Sequence, residues 1–151
     1  MSLKDRIAAD LKDAMRAKDR DRLDALRSTL SAFSYRRIEA GRELEEAEQI
    51  EVVRKQVRQR GDSIVEFERG GRQELAAKER REQAILEALL PAQTDPETLR
   101  GEVRRTLEAL PPGERAMGPA MKAVMPALRG RADGSAIRTL VEQELAALGG
   151  A

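Results

Sequence analysis

The chain has no cysteine and no histidine. Their absence excludes disulfides, thiol nucleophiles, thiolate metal sites and imidazole acid–base chemistry. A chain without cysteine also suits a reducing compartment. Tryptophan is missing too, and the aromatics are only Phe33, Tyr35 and Phe67. A core must then come from Leu, Ile, Val, Met and Ala, which suits packed helices better than strands. No apolar run is long enough to cross a bilayer, and no N-terminal stretch resembles a signal peptide, so the expected location is the cytoplasm.

What is abundant is charge of both signs. Charged residues make up 36% of 151, yet the formal net charge is +1. Pairs such as Glu51–Lys55 and Glu74–Lys78 have the i,i+4 spacing of solvated helix faces. A chain of this length fits one domain or two small ones.

Apolar spacing predicts a helix from Ser2 or Leu3 to about Ala17, lined by Leu3, Ile7, Leu11, Ala14 and Met15. A break near Lys18 to Asp21 follows, with Asp19 or Asp21 as the next cap. The second helix runs to about Ala40, with Leu23, Leu26, Leu30, Phe33 and Ile38 as its row, and Gly41 as its stop. Tyr35, just off the row, reads as a packing residue with a wet hydroxyl, base stacking being the alternative. A third helix spans about Glu45 to Glu68 through Ile50, Val53, Val57, Ile64 and Phe67. Gly61 inside it costs roughly 1 kcal/mol relative to Ala and marks either close packing or a bend. After Gly70-Gly71, a fourth helix runs from about Arg72 to Leu90 and carries Leu75, Ala76, Ile85, Leu86, Leu89 and Leu90.

Pro91 ends that pattern. Thr94 with Glu97 has capping-box spacing, while Asp95 before Pro96 is a competing cap. The helix that follows carries Leu99, Val103, Leu107 and Leu110 and stops at Pro111-Pro112-Gly113. The fold class is therefore all-α: an N-terminal four-helix region, residues 1–91, joined to a small three-helix tail, residues 92–151.

The segment Met117 to Gly134, MGPAMKAVMPALRGRADG, is the most informative. Gly118-Pro119 reads as a turn entering a helix, with Pro119 near the first helical position and Met117 over the entry. Met121, Val124, Met125 and Leu128 form one stripe. Pro126 costs about 3 kcal/mol in an ordinary helix interior, so the helix bends there or a second short turn begins after a break. Gly130 ends the helix. Asp133-Gly134 starts the last one, with Asp133 as its cap. Ile137, Leu140, Val141, Leu145 and Leu148 are its buried side, and Gly149-Gly150 its end. Five cations lie between Arg115 and Arg138 against Asp133 alone, a local excess of +4.

Together, MGPAMKAVMPALRGRADG, the run VEQEL and the stretch LLPAQTDPETL resemble the YqeY-like family, or GatB/YqeY domain proteins, over nearly the whole chain. From about Ala92 to Ala147 the chain is also similar to the tail domain of the GatB component of the aspartyl/glutamyl-tRNA amidotransferase. The resemblance implies a helical N-terminal domain and a helical tail of the kind that contacts the body of transfer RNA. It alone implies carbon–nitrogen ligase activity with glutamine as amido-N donor. The kinase-like cradle and the separate amidase that carry that reaction have no counterpart here. Family members often have a Lys-rich run where this chain has Pro119-Ala120, although Lys122 is kept.

The functional expectation is a non-catalytic adaptor for tRNA or structured RNA, with Lys122, Arg129, Arg131 and Arg138 as candidate phosphate contacts. The alternative is a docking module for an aminoacyl-tRNA synthetase or amidotransferase component. No catalytic, cofactor or metal site is expected. Ser28, Thr29, Ser31 and Ser34 have no histidine partner. The cluster Glu43, Glu45, Glu46 and Glu48 lacks a metal-ligand pattern and reads as a solvated helix entrance.

Overall fold

Ser2 begins the first helix by accepting the Asp5 backbone N–H on its hydroxyl at 3.2 Å. The computed structural model describes residues 2–149. Among these there are seven α-helices and no strand: α1 (Leu3–Ala17), α2 (Arg20–Ala40), α3 (Glu46–Arg69), α4 (Gln73–Glu87), α5 (Pro96–Glu108), α6 (Met117–Leu128) and α7 (Gly134–Gly149). A short 3-10 turn at Pro112–Glu114 precedes α6. No helix of the described residues is long and apolar enough to cross a membrane.

The chain divides into two compact units, residues 1–91 and 92–151. In the first, Leu3, Ile7, Ala25, Leu26, Phe33, Val53, Leu86 and Leu89 share one core. Asp19, not Asp21, caps α2, accepting Arg22 N–H at 3.3 Å. Gly41 closes it in the left-handed region at φ 69°. Gly61 serves close packing. A Cβ there would lie 3.3 Å from the Gln83 amide of α4, which donates to the Val57 carbonyl at 3.0 Å.

Several apolar positions are not where periodicity puts them. Ile38 is 72% exposed and Tyr35 74% exposed, so neither packs inward. The reason is length: α2 is 21 residues long, roughly 31 Å, and its last buried residue is Phe33. Met15 and Leu75, in the end turns of α1 and α4, are also exposed. The fourth helix ends at Glu87 rather than Leu90. Leu89 and Leu90 instead donate three residues back, to Leu86 and Glu87, and a residue before proline avoids the helical region. The entrance to α3 is only partly solvated. Glu48 is buried, 2.8 Å from Arg42, and Glu46 accepts the Leu3 N–H at 2.7 Å. No metal-holding group of acidic residues occurs among the described residues.

Candidate nucleic-acid interface of the C-terminal unit

Three helices build this unit. Leu99, Val103 and Leu107 of α5, Ala120, Val124 and Leu128 of α6, and Ile137, Leu140 and Val141 of α7 share one core, joined by Ala132. Met117, Met121 and Met125 pack against it. Asp95 is the cap of α5, accepting Thr98 N–H at 3.2 Å. Thr94 is used differently. Its N–H donates to the Arg131 carbonyl at 2.9 Å, and its hydroxyl accepts from Arg131 Nε at 3.2 Å.

The proline positions differ from the expected ones. Helix α6 begins at Met117, ahead of the Gly118-Pro119 turn expected to enter it, so Pro119 is its third residue. Its missing N–H is still one of those that have no partner within a helix. Pro126 lies inside a continuous α6, two residues before its end, with no break before it. It forfeits one bond to the Lys122 carbonyl, and Arg129 N–H closes the final turn on Met125 at 2.9 Å. Gly130 then turns the chain at φ 80°. Gly130→Ala should cost about 1–2 kcal/mol, read as a lower melting temperature; an unchanged melt would refute the conformational demand. Asp133 acts as the cap of α7: its carboxylate accepts Ser135 N–H at 3.4 Å and the Ser135 hydroxyl at 3.0 Å. Gly149 is the last described residue, and Gly150 lies outside the described residues.

The structure separates the candidate cations. Lys122 is exposed on α6. Arg138 is exposed on α7, 3.4 Å from Glu142 one turn along. Arg129 is half-buried at the end of α6. Arg131 turns inward, with a guanidinium nitrogen 2.7 Å from Glu102 of α5 in addition to the Thr94 bond. Arg115 is also held internally, donating to the Leu110 and Glu108 carbonyls at the end of α5. The +4 excess of the segment is thus partly consumed in folding contacts.

The sequence pattern does not disclose an arginine pair that the fold creates. Arg100 and Arg104, one turn apart on α5, both reach Glu144 of α7. Arg100 lies 3.1 Å from Oε1, and Arg104 approaches both oxygens, at 3.1 and 3.2 Å. Glu144 is only 2% exposed. The Arg104 hydrogen bond, opposed by burial and reinforced by Arg100, holds its carboxyl below the ordinary value of 4.5. The available signal was Glu144's position within the Val141–Leu148 stripe, where a charge has to find partners.

These residues define a small all-helical protein whose C-terminal unit offers cations to solvent from three helices. Residues 4–145 match the model of the family described as Yqey-like protein. The chain belongs to the YqeY-like family. It is 29% identical over 130 residues to a Pyrenophora tritici-repentis protein named "Altered inheritance of mitochondria protein 41, mitochondrial", covering 84% of this chain and 71% of that protein. A Kluyveromyces lactis protein of the same name is 41% identical over 79 residues, covering 52% of this chain and 43% of that protein.

Proposed function

We propose that the C-terminal unit associates non-catalytically with structured RNA, transfer RNA being the first class to test. The observation that supports this reading is the exposure of Lys122 on α6 and Arg138 on α7. Its second support is the resemblance of residues 92–147 to the amidotransferase tail. Arg138's pairing with Glu142 is an exposed i,i+4 contact, which a phosphate can displace at little cost. Folded RNA offers phosphates that basic side chains meet by shape, without reading many bases. Arg131 has a different role in this proposal, holding the Thr94 segment and Glu102 to the turn before α7.

Glutamine-dependent carbon–nitrogen ligation is the weaker reading. The chain has no cysteine or histidine to activate glutamine. The Thr29 hydroxyl lies 2.9 Å from both the Ala25 carbonyl and the Gln56 amide oxygen of α3, and the Ser34 hydroxyl donates to the Leu30 carbonyl, so both are engaged in folding contacts. The fungal relatives' names place those proteins in mitochondria. The proposed compartment is accordingly the cytoplasm or the mitochondrial interior, which cell fractionation separates.

Anisotropy titrations against folded transfer RNA at about 50 and 200 mM salt test the proposal. Two or three phosphate contacts give a log–log salt slope of about −2 to −3. Lys122→Ala or Arg138→Ala should each reduce that slope by about 1. Binding by the Lys122→Ala/Arg138→Ala double variant equal to wild type would overturn the assignment. Recovery of one stoichiometric protein after nuclease treatment, with no RNA binding, would replace it with docking to a synthetase or amidotransferase component.

A further inference from the structure

The N-terminal unit holds a cavity that the RNA reading does not use. It measures about 130 Å³ and opens between α1, α2 and the start of α3. Leu30, Phe33, Ser34 and Arg37 line it from α2, at the i, i+3, i+4 and i+7 spacing of one helix face. Leu44 completes the apolar wall, and Lys4 of α1 and Glu43, ahead of α3, add charge. Gln49, on the first turn of α3, is the unusual member. It is only 9% exposed. Its backbone N–H closes the helix on Glu45 at 3.0 Å, but its side-chain amide has no hydrogen bond among the described residues. A buried amide left without partners is costly, and this one lines the cavity with a donor and an acceptor side by side.

Exposure orders the lining. Phe33 and Gln49 are buried, whereas Lys4, Ser34, Arg37 and Glu43 are exposed. The interior is thus apolar with one amide, and the mouth carries two cations and one acid, an excess of one positive charge. Arg37 and Glu43 meet at 3.2 Å with side chains 49% and 72% exposed, a contact that an incoming anion exchanges cheaply. Lys4 forms no ion pair among the described residues. The next acids along the chain are engaged elsewhere: Glu46 accepts the Leu3 N–H, and Glu45 and Glu48 both act on Arg42.

We propose that this cavity takes one pyrimidine nucleotide, with the base inside and the phosphate at the mouth. A cavity of about 150 Å³ admits benzene, so this one suits a single ring. Uracil and cytosine each carry a donor beside an acceptor, and the Gln49 amide meets both at once, as glutamine does at other base edges. The phosphate replaces Glu43 on Arg37 and draws in Lys4. An apolar acid would leave the amide unmet. A bare anion would leave the apolar wall empty, and a cation would face Lys4 and Arg37. A free nucleotide and an unpaired nucleotide of an RNA share this chemistry.

Calorimetric titration of the full chain with uridine monophosphate (UMP) tests this, with an expected Kd of about 0.1–1 mM. Gln49→Leu keeps the bulk, removes the amide and should weaken UMP about 10-fold or more. Lys4→Gln should weaken UMP about 3-fold or more and leave uridine, which has no phosphate, unchanged. Glu43→Gln should tighten UMP about 3-fold, because the competing carboxylate is gone. Benzoate, a ring and an anion without the paired edge, and AMP, with two fused rings, should each bind about 10-fold more weakly than UMP. Tetrauridylate separates the two sources. Tighter binding than UMP supports a site for unpaired RNA, and equal or weaker binding supports a site for the free nucleotide. The Lys122→Ala/Arg138→Ala variant should bind UMP as wild type does, which keeps this test apart from that of the C-terminal unit. Circular dichroism controls for folding, and Lys4 and Glu43 are exposed. No binding up to about 10 mM UMP overturns the proposal. Binding indifferent to Gln49→Leu does so too, as does binding of benzoate or AMP as tight as that of UMP.

Discussion

Leu128→Ala should destabilise the C-terminal unit by about 3 kcal/mol, within the range for opening a cavity in a sealed core. Leu128 has no solvent exposure and ends α6 immediately before the Arg129–Gly130 turn. It shares a core with Val103, Ile137 and Val141, so one deletion removes packing where three helices meet. A unit of about 60 residues holds roughly 3–9 kcal/mol in all. The loss should lower its melting temperature by about 12–24 °C, and RNA binding at physiological temperature should fall with the folded population. Arg138→Ala, at an exposed site, should change stability by less than about 0.5 kcal/mol while reducing RNA affinity. A Leu128→Ala cost below about 1 kcal/mol would show that the site collapses around the gap and that the core is looser than its burial indicates.

Replacing Glu144 should give the second-largest effect. Glu144→Ala removes a buried carboxylate that takes hydrogen bonds from Arg100 and Arg104, and should cost about 2 kcal/mol, the scale of hydrogen bonds to charged groups. Glu144→Leu should cost less than Glu144→Ala. It refills the volume, and both arginines, with side chains 37% and 54% exposed, can turn to water. Equal losses for the two variants would assign the effect to charge alone. The pH dependence carries its own sign. The folded-state carboxyl lies below the ordinary 4.5, so the folded chain binds fewer protons at this site than the unfolded chain. Its contribution is complete above pH 4.5 and is lost as the pH falls from there through the lower folded-state value. Urea titrations at stepped pH should show that component in wild type and not in Glu144→Gln.

Local chemistry in this chain is legible from the sequence, whereas contacts across helices are less so. Gly41 and Gly130 mark helix ends because each takes a positive φ that other residues avoid. Asp133 is readable as a cap because the groups it serves lie within four residues. The choice between Thr94 and Asp95 is not readable, because it turns on Arg131, 37 residues away. Separation along the chain also hides the Arg131–Glu102 pair, which removes a guanidinium from the proposed RNA-contact set. Pro126 suggests a bend or break when its cost is reckoned for a helix interior. Helix α6 nevertheless runs unbroken through Pro126 to Leu128. Ile38 fits a helical row, but a row does not reveal where the opposing core stops. Glu144 shows the converse limit. A charge on an apolar stripe signals a partner, and only the α5–α7 packing names Arg100 and Arg104.

Gly61 sets how deeply α4 can settle against α3. An alanine there would favour the helical state of α3 more, yet its methyl would press on the Gln83 amide 3.3 Å away, which would have to yield a few tenths of an ångström. The Val57 carbonyl that receives that amide at 3.0 Å would then be held less closely. Missing atoms, in this case, work as a spacer: the gap left by one absent methyl admits the side chain that stitches α3 and α4 together.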